Sequence, residues 1–325
     1  MRFPRLAFPK EMIFMYTWDV KIMQKILAIG PIFVIIAAVL WSFDGVLRIT
    51  LYSLPPTVVV FYEHVMGAIV LLFFASRWFK DLRKMSKKEW SAMTLVALFS
   101  GALGTILYTA ALQKINYSSY SVVVLLQQLQ PIWAIATAAL LLKEKVTRKF
   151  LFWAAVALGA AYLITFRDLR VNLTTGSGTM IAGGLALLAG VLWGSSTAIS
   201  KFVLNKISFL TATAIRFFLA PVFALLFIVA GRQTDALFQL TGGQWWTLVL
   251  ITFSTGLVAL GFYYFGLKKT PARVTTLCEL VWPASAIMID YFLYHKTLSF
   301  TQILGIGLLL FAIYQVTRSS VKRPL

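Results

Sequence analysis

Ten stretches of predominantly apolar residues, 17 to 25 long, fill most of this 325-residue chain: 27–48, 57–76, 91–112, 118–142, 150–166, 179–202, 209–230, 246–267, 273–293 and 299–318. A helix needs about 20 such residues to cross the hydrocarbon core of a bilayer. In lipid the backbone must satisfy its own hydrogen bonds, which helices do within a single segment. The pattern predicts an all-α integral membrane protein with ten transmembrane helices. The longest polar connections, 77–90 and 167–178, are too short to fold alone. Only 13% of the residues are charged, against about a quarter in ordinary soluble domains.

The net charge of +19 invites a nucleic-acid reading, but its distribution explains it better. With the N-terminus in the cytoplasm, 23 Lys and Arg residues fall on the cytoplasmic side and 6 outside, with Arg216 left inside the seventh span. That asymmetry is the positive-inside signature. It puts both termini in the cytoplasm, in the cell membrane, and no basic face interleaved with aromatics suggests nucleic acid. Residues 1–26 contain Pro4, Pro9, Glu11 and Asp19; they read as a cytoplasmic N-terminal segment, not a cleaved signal peptide. The single Cys278 permits no intrachain disulfide.

The chain repeats itself. AAVLWSFDG (37–45) aligns with AGVLWGSST (189–197), and PIWAI (131–135) with PASAI (283–287), both at an offset of 152. Between them YTAALQK (108–114) matches YYFGLKK (263–269) at an offset of 155. Each half, 27–166 and 179–318, holds five predicted spans, joined by an external linker at 167–178 and followed by a cytoplasmic tail at 319–325. Five is odd, so the second half enters the membrane from the opposite side. Inverted repeats of this kind are common in secondary transporters, whose binding site lies near the midplane between the halves.

The pattern resembles the drug/metabolite transporter superfamily, EamA type. The resemblance is carried by the two Val-Leu-Trp entries at Trp41 and Trp193, by Pro131 and Pro283 in the fourth span of each half, and by LLKEK (141–145) closing the first half. It covers residues 27–318 and implies a five-plus-five helix fold that moves small organic metabolites by alternating access. The chain departs from the family before its second proline, where Trp282 replaces the acidic residue often found there, and at Lys296, which replaces the Glu matched in the first half by Glu144.

Ionisable groups inside spans are costly and mark candidate sites. Asp44, Glu63, His64, Arg216 and Glu279 are such groups. Trp41, Asp44 and Arg48, at i, i+3 and i+7, share one helix face. Asp44, Glu63 and His64 lie at similar depth, available for an ammonium group, a proton relay or an external gate, or else as an ion network orienting two helices with Arg48 snorkelling outward. Glu279 and Arg216 lie at matched depth and read as partners for each other or for a zwitterion. A carboxyl without a cation partner is a candidate proton carrier; one held by Arg216 is structural. Gln127 and Gln130 share a face and need partners that lipid does not offer, while Gln128 is undecided. Pro131 and Pro283 each release a carbonyl one turn earlier, at Gln127 and Glu279. Tyr108 and Tyr263, with Trp41 and Trp193, offer faces for an organic cation or ring. Ala182, Ala186, Gly190 and Gly194 form a small-residue ridge, for packing within the bundle or across a homodimer.

Motifs for zinc hydrolysis, ATP hydrolysis or a serine nucleophile are missing, and neither a metal nor a cofactor is expected. The reading is a secondary transporter of a small metabolite, with an amino acid or related zwitterion as first expectation, open to proton coupling and not an enzyme. An organic cation or amine is the alternative substrate. An intramembrane enzyme using Asp44, His64 and Glu63, and a membrane scaffold, are the alternatives of other classes.

Overall fold

The computed structural model describes residues 29–114, 122–170, 179–295 and 297–321. The N-terminal segment, Lys296, most of the 167–178 linker, the end of the tail and the start of the fourth predicted span lie outside the described residues. Among the described residues every regular element is helical. They are α1 (Ile29–Ile49), α2 (Pro56–Leu72), α3 (Ala75–Leu82), α4 (Lys87–Lys114), α5 (Val122–Gln127 continuing as Gln130–Leu141) and α6 (Arg148–Thr165). The second part of the chain gives α7 (Thr179–Leu204), α8 (Phe209–Ala230), α9 (Gly242–Lys269), α10 (Ala272–Cys278 continuing as Val281–Tyr294) and α11 (Phe300–Val321).

Eight of these are long and apolar enough to cross a membrane, and a ninth crossing results if α2 and α3 count as one bent span. The helix path turns by 98° between α2 and α3. The polar connection expected at 77–90 therefore contains a surface helix. Trp78 anchors it, donating its indole N–H to Leu71 O at 2.8 Å.

Local chemistry sets the helix starts. Ser86 and Glu89 form a capping box at α4, and Thr241 and Gln244 form another at α9; each pair satisfies backbone donors that a first turn leaves open. Ser208 and Thr147 cap α8 and α6 through their hydroxyls. His295 closes α10 in the left-handed region, at φ 51°.

Small residues bring the helices together, as expected where lipid removes the hydrophobic drive between them. Gly190 and Gly194 of α7 lie against the backbone of α5 near Gln127 and Ala134, and Ala182 and Ala186 pack with Ala111 and Leu112 of α4. The small-residue ridge is thus used inside the chain. Gly266 of α9 crosses α1 so closely that a Cβ there would stand 2.7 Å from Gly30 O. Large apolar side chains such as Met180 (91% exposed) and Leu140 (83%) point outward, as lipid-facing residues do.

Polar clasps tie the helices at two ends. At the basic end Glu144 accepts from the Ala272 and Arg273 N–H groups at 2.7 and 3.1 Å. Lys206 pairs with Glu89 at 2.5 Å, and Lys201 donates to Leu267 O and Lys268 O. At the other end Gln113 donates to Tyr52 O and Leu54 O, and Gln244 to the Ser53 hydroxyl.

Candidate transport cavity

A cavity of about 220 Å3 lies between the helices. Trp41, Asp44, Glu63, His64, Tyr108, Gln127, Gln130, Trp193, Arg216, Tyr263 and Glu279 all line it, with Pro131 and Pro283. Residues 241 positions apart are thereby brought together: the Trp282 indole N–H donates to Trp41 O at 3.2 Å.

Two irregularities in the helices shape this space. α5 and α10 each break two to four residues before their cavity proline, at Gln128–Leu129 and Glu279–Leu280. α4 and α9 each contain a π-helical segment, Ala97–Leu103 and Thr252–Gly256. Such segments free backbone groups from the regular ladder and often occur at functional sites. The two segments begin 155 residues apart, the offset that relates Tyr108 to Tyr263. Each holds a cavity charge. Ser100 O accepts from Arg216 Nη2 at 2.8 Å, and its repeat counterpart Thr255 donates its hydroxyl to Asp44 Oδ1 at 2.6 Å.

The charges are engaged in an arrangement that departs from the sequence reading. Arg48 does not snorkel; it is 5% exposed and bridges Asp44 through Nε and Glu63 through Nη2 at 2.7 Å. Burial of such a triad repays its desolvation only when the geometry is good, and Gly256 helps by letting α9 close on the Glu63 carboxylate. His64 donates Nδ1–H to Val60 O at 2.9 Å and lies 4.8 Å from the Phe217 ring. It bonds to neither carboxylate, so the acid–base set considered for an intramembrane enzyme is not assembled.

Arg216 and Glu279 do not pair. Arg216 is held by Ser100 O, while Glu279 accepts from Gln130 Nε2 at 2.8 Å and from the Tyr263 hydroxyl at 2.9 Å. Glu279 thus has neutral donors as its hydrogen-bond partners. Gln127 Nε2 donates to Gln130 at 3.2 Å, and Gln128 bonds the Thr165 hydroxyl of α6 at 2.5 Å.

The aromatic residues form two pairs across the cavity. Trp41 stands 5.1 Å from Tyr263, and Tyr108 5.2 Å from Trp193. Trp41 and Trp193 are repeat counterparts, as are Tyr108 and Tyr263, so one crossed arrangement is made twice. Sequence reasoning missed Thr109, Ser196, Thr255, Thr276 and Trp282, which also line the cavity. A hydroxyl in a helix usually bonds back to its own turn and so carries no signal. The repeat offset was the signal available, since it relates Asp44 to Ser196 and Ser100 to Thr255.

The comparisons with known proteins agree with this architecture. The model of the EamA-like transporter family matches the chain twice, over residues 28–166 and 180–318. The riboflavin transporter ImpX of Fusobacterium nucleatum subsp. nucleatum is 35% identical over 291 residues, covering 89% of this chain and 97% of that protein. An uncharacterized transporter of Clostridium kluyveri is 26% identical over 85% of this chain and 89% of its own length. A solved crystal structure superposes with a TM-score of 0.68 at 14% identity, over 91% of this chain and 99% of its own, a likeness of fold alone. Two matches to one family model, a relative aligned over nearly its full length and apolar helices around a central cavity lead to one conclusion: the chain is a multi-pass membrane protein of the EamA-like transporter family.

Proposed function

We propose that the chain is a secondary transporter for a flavin-like metabolite, a flat fused-ring heterocycle carrying hydroxyl groups. The observation that carries this reading is the cavity's chemistry. Two crossed aromatic pairs flank it, and its acidic residues Asp44 and Glu63 are both held by Arg48. Aromatic faces with a few convergent polar groups suit an uncharged ring better than a free ion. The riboflavin transporter among its relatives supports the same class. The volume of about 220 Å3 is below the roughly 300–1,000 Å3 usual for small-molecule pockets. A flavin thus requires the cavity to widen, and the breaks in α5 and α10 are our candidate hinges for that movement.

Transport by alternating access fits two inverted five-helix halves, residues 27–166 and 179–318, with ten spans and both termini cytoplasmic. α5 supplies the tenth span despite its break. The double family match and the paired π segments support this division.

An amino acid or related zwitterion is the second reading. It rests on Glu279, which has neutral hydrogen-bond donors, on Arg216, whose Nε has no hydrogen-bond partner, and on the modest volume. An organic cation finds less, because Arg48 occupies two of the three cavity carboxylates.

Flavin emission gives the test. Titrating purified protein into riboflavin should quench its fluorescence as the ring stacks on tryptophan. Trp41→Ala and Trp193→Ala should each weaken binding about tenfold, the equivalent of roughly 1.4 kcal/mol of lost contact. Absence of quenching, together with saturable binding of a labelled amino acid, would replace the first reading with the second.

A further inference from the structure

The two aromatic pairs are equivalent by repeat position and unequal in bonding. Beside Trp41–Tyr263 the polar neighbours are committed to one another: Tyr263 and Gln130 to Glu279, Thr197 to Tyr263 at 2.8 Å, and Trp282 to Trp41 O. Beside Tyr108–Trp193 two buried hydroxyls are left over. Ser196 Oγ, one turn along α7 from Trp193, and Thr109 Oγ1, adjacent to Tyr108, have no hydrogen-bond partner, and both residues are 2% exposed. Elsewhere in the lining, Gln127 Oε1 and Arg216 Nε, on half-buried residues, also have no hydrogen-bond partner.

A buried polar group without a partner costs about 1–3 kcal/mol, and native proteins leave few such groups without a reason. Among the described residues eight side-chain atoms are in this condition, and six belong to residues lining the cavity. The remaining two of those six, Arg48 Nη1 and Thr276 Oγ1, sit on α1 and α10, and Arg48 already has its charge matched. The four on α4, α5, α7 and α8 are the concentration of unused hydrogen bonds that a ligand would fill.

Their chemistry selects the ligand group. Arg216 Nε–H can only donate, Gln127 Oε1 can only accept, and the hydroxyls can do either. Ser100 O fixes the guanidinium through Nη2 at 2.8 Å, and Gln130 fixes the Gln127 amide through Nε2 at 3.2 Å. An edge presenting acceptor, donor and acceptor in succession satisfies a donor, an acceptor and a hydroxyl. We infer that the Tyr108–Trp193 side of the cavity is the specificity subsite, binding the imide edge of the flavin ring. One ring carbonyl accepts from Arg216, the imide N–H donates to Gln127, and the second carbonyl accepts from Ser196. The Trp41–Tyr263 side, already bonded internally, is a preassembled stacking wall. This assignment rests on the flavin reading and adds the orientation of the ring within it.

The test compares riboflavin with an analogue methylated at the imide nitrogen, which keeps the ring faces and carbonyls but loses the donor. Wild-type protein in detergent should bind riboflavin at least about tenfold more tightly than the analogue, the ratio expected for a lost hydrogen bond that leaves a buried partner unsatisfied. Gln127→Ala should narrow that ratio, and Arg216→Lys should weaken riboflavin binding about tenfold with the stacking-dependent quenching retained. The wild-type comparison decides even if a variant fails to fold. Equal binding of the two flavins by wild-type protein would overturn the subsite and leave the flavin reading standing. Binding of neither by folded protein would overturn both.

Discussion

At the scale of single residues, the cavity divides its ionisable groups into those that hold the structure and those that remain available. Arg48 belongs to the first kind. Removing it by Arg48→Met would leave the Asp44 and Glu63 carboxylates facing each other in a buried site, a loss of about 3–5 kcal/mol. We expect a large fall in folded yield and in thermal stability, measured in detergent. Glu279 belongs to the second kind, because its hydrogen-bond partners Gln130 and Tyr263 are neutral. Glu279→Gln should fold with near-normal stability. If Glu279 carries the coupled proton, the variant should lose flux driven by a pH gradient and keep substrate exchange; unchanged gradient dependence would remove Glu279 from coupling. The sequence drew attention to these residues, since an ionisable group inside a span announces itself. It did not disclose their pairing. Arg216 and Glu279 lie at similar predicted depth, and depth alone suggested a bond; the π segment of α4 instead offers Arg216 a backbone carbonyl.

Elements show the same split between pattern and geometry. Helix positions followed from apolar run length, and the prolines announced the breaks in α5 and α10. The π segments of α4 and α9 left no mark in composition, because an extra residue per turn needs no particular side chain. The 98° turn after α2 was hidden for a related reason: the residues of α3 are charged on one side and were read as a polar connection. Close helix crossings are the most testable feature at this scale. Gly266→Leu would drive side-chain atoms into the Gly30 carbonyl and the Val34 backbone, atoms that cannot move aside singly. Overpacking of this kind costs typically 1–3 kcal/mol, and the variant should melt at a lower temperature. Gly261→Leu, where a Cβ meets no atom within 4 Å, is the matched control and should melt near the wild type.

For the whole molecule, two aromatic pairs that each join a residue of one half to a residue of the other fit the proposed carrier, whose site both halves would share. The repeat was legible from three short anchors at nearly constant offset, and the family model matches each half separately. The substrate was less legible. Counting charges leads to a zwitterion, which stays the second reading, because a sequence shows each charge without its counter-charge. Once Arg48 is seen to hold Asp44 and Glu63, aromatic stacking becomes the larger resource. The orientation is open to direct labelling in a Cys278→Ala background. Ser53→Cys should react with an impermeant thiol reagent added outside intact cells, and Lys84→Cys only after permeabilisation; the reverse pattern would invert the topology. The most direct measurement of the central claim is counterflow of labelled riboflavin into liposomes containing the purified protein and preloaded with unlabelled riboflavin. Saturable accumulation is expected, and Trp193→Ala, still folded, should largely abolish it. Accumulation no greater than in protein-free liposomes, with wild-type protein shown to be folded, would contradict it.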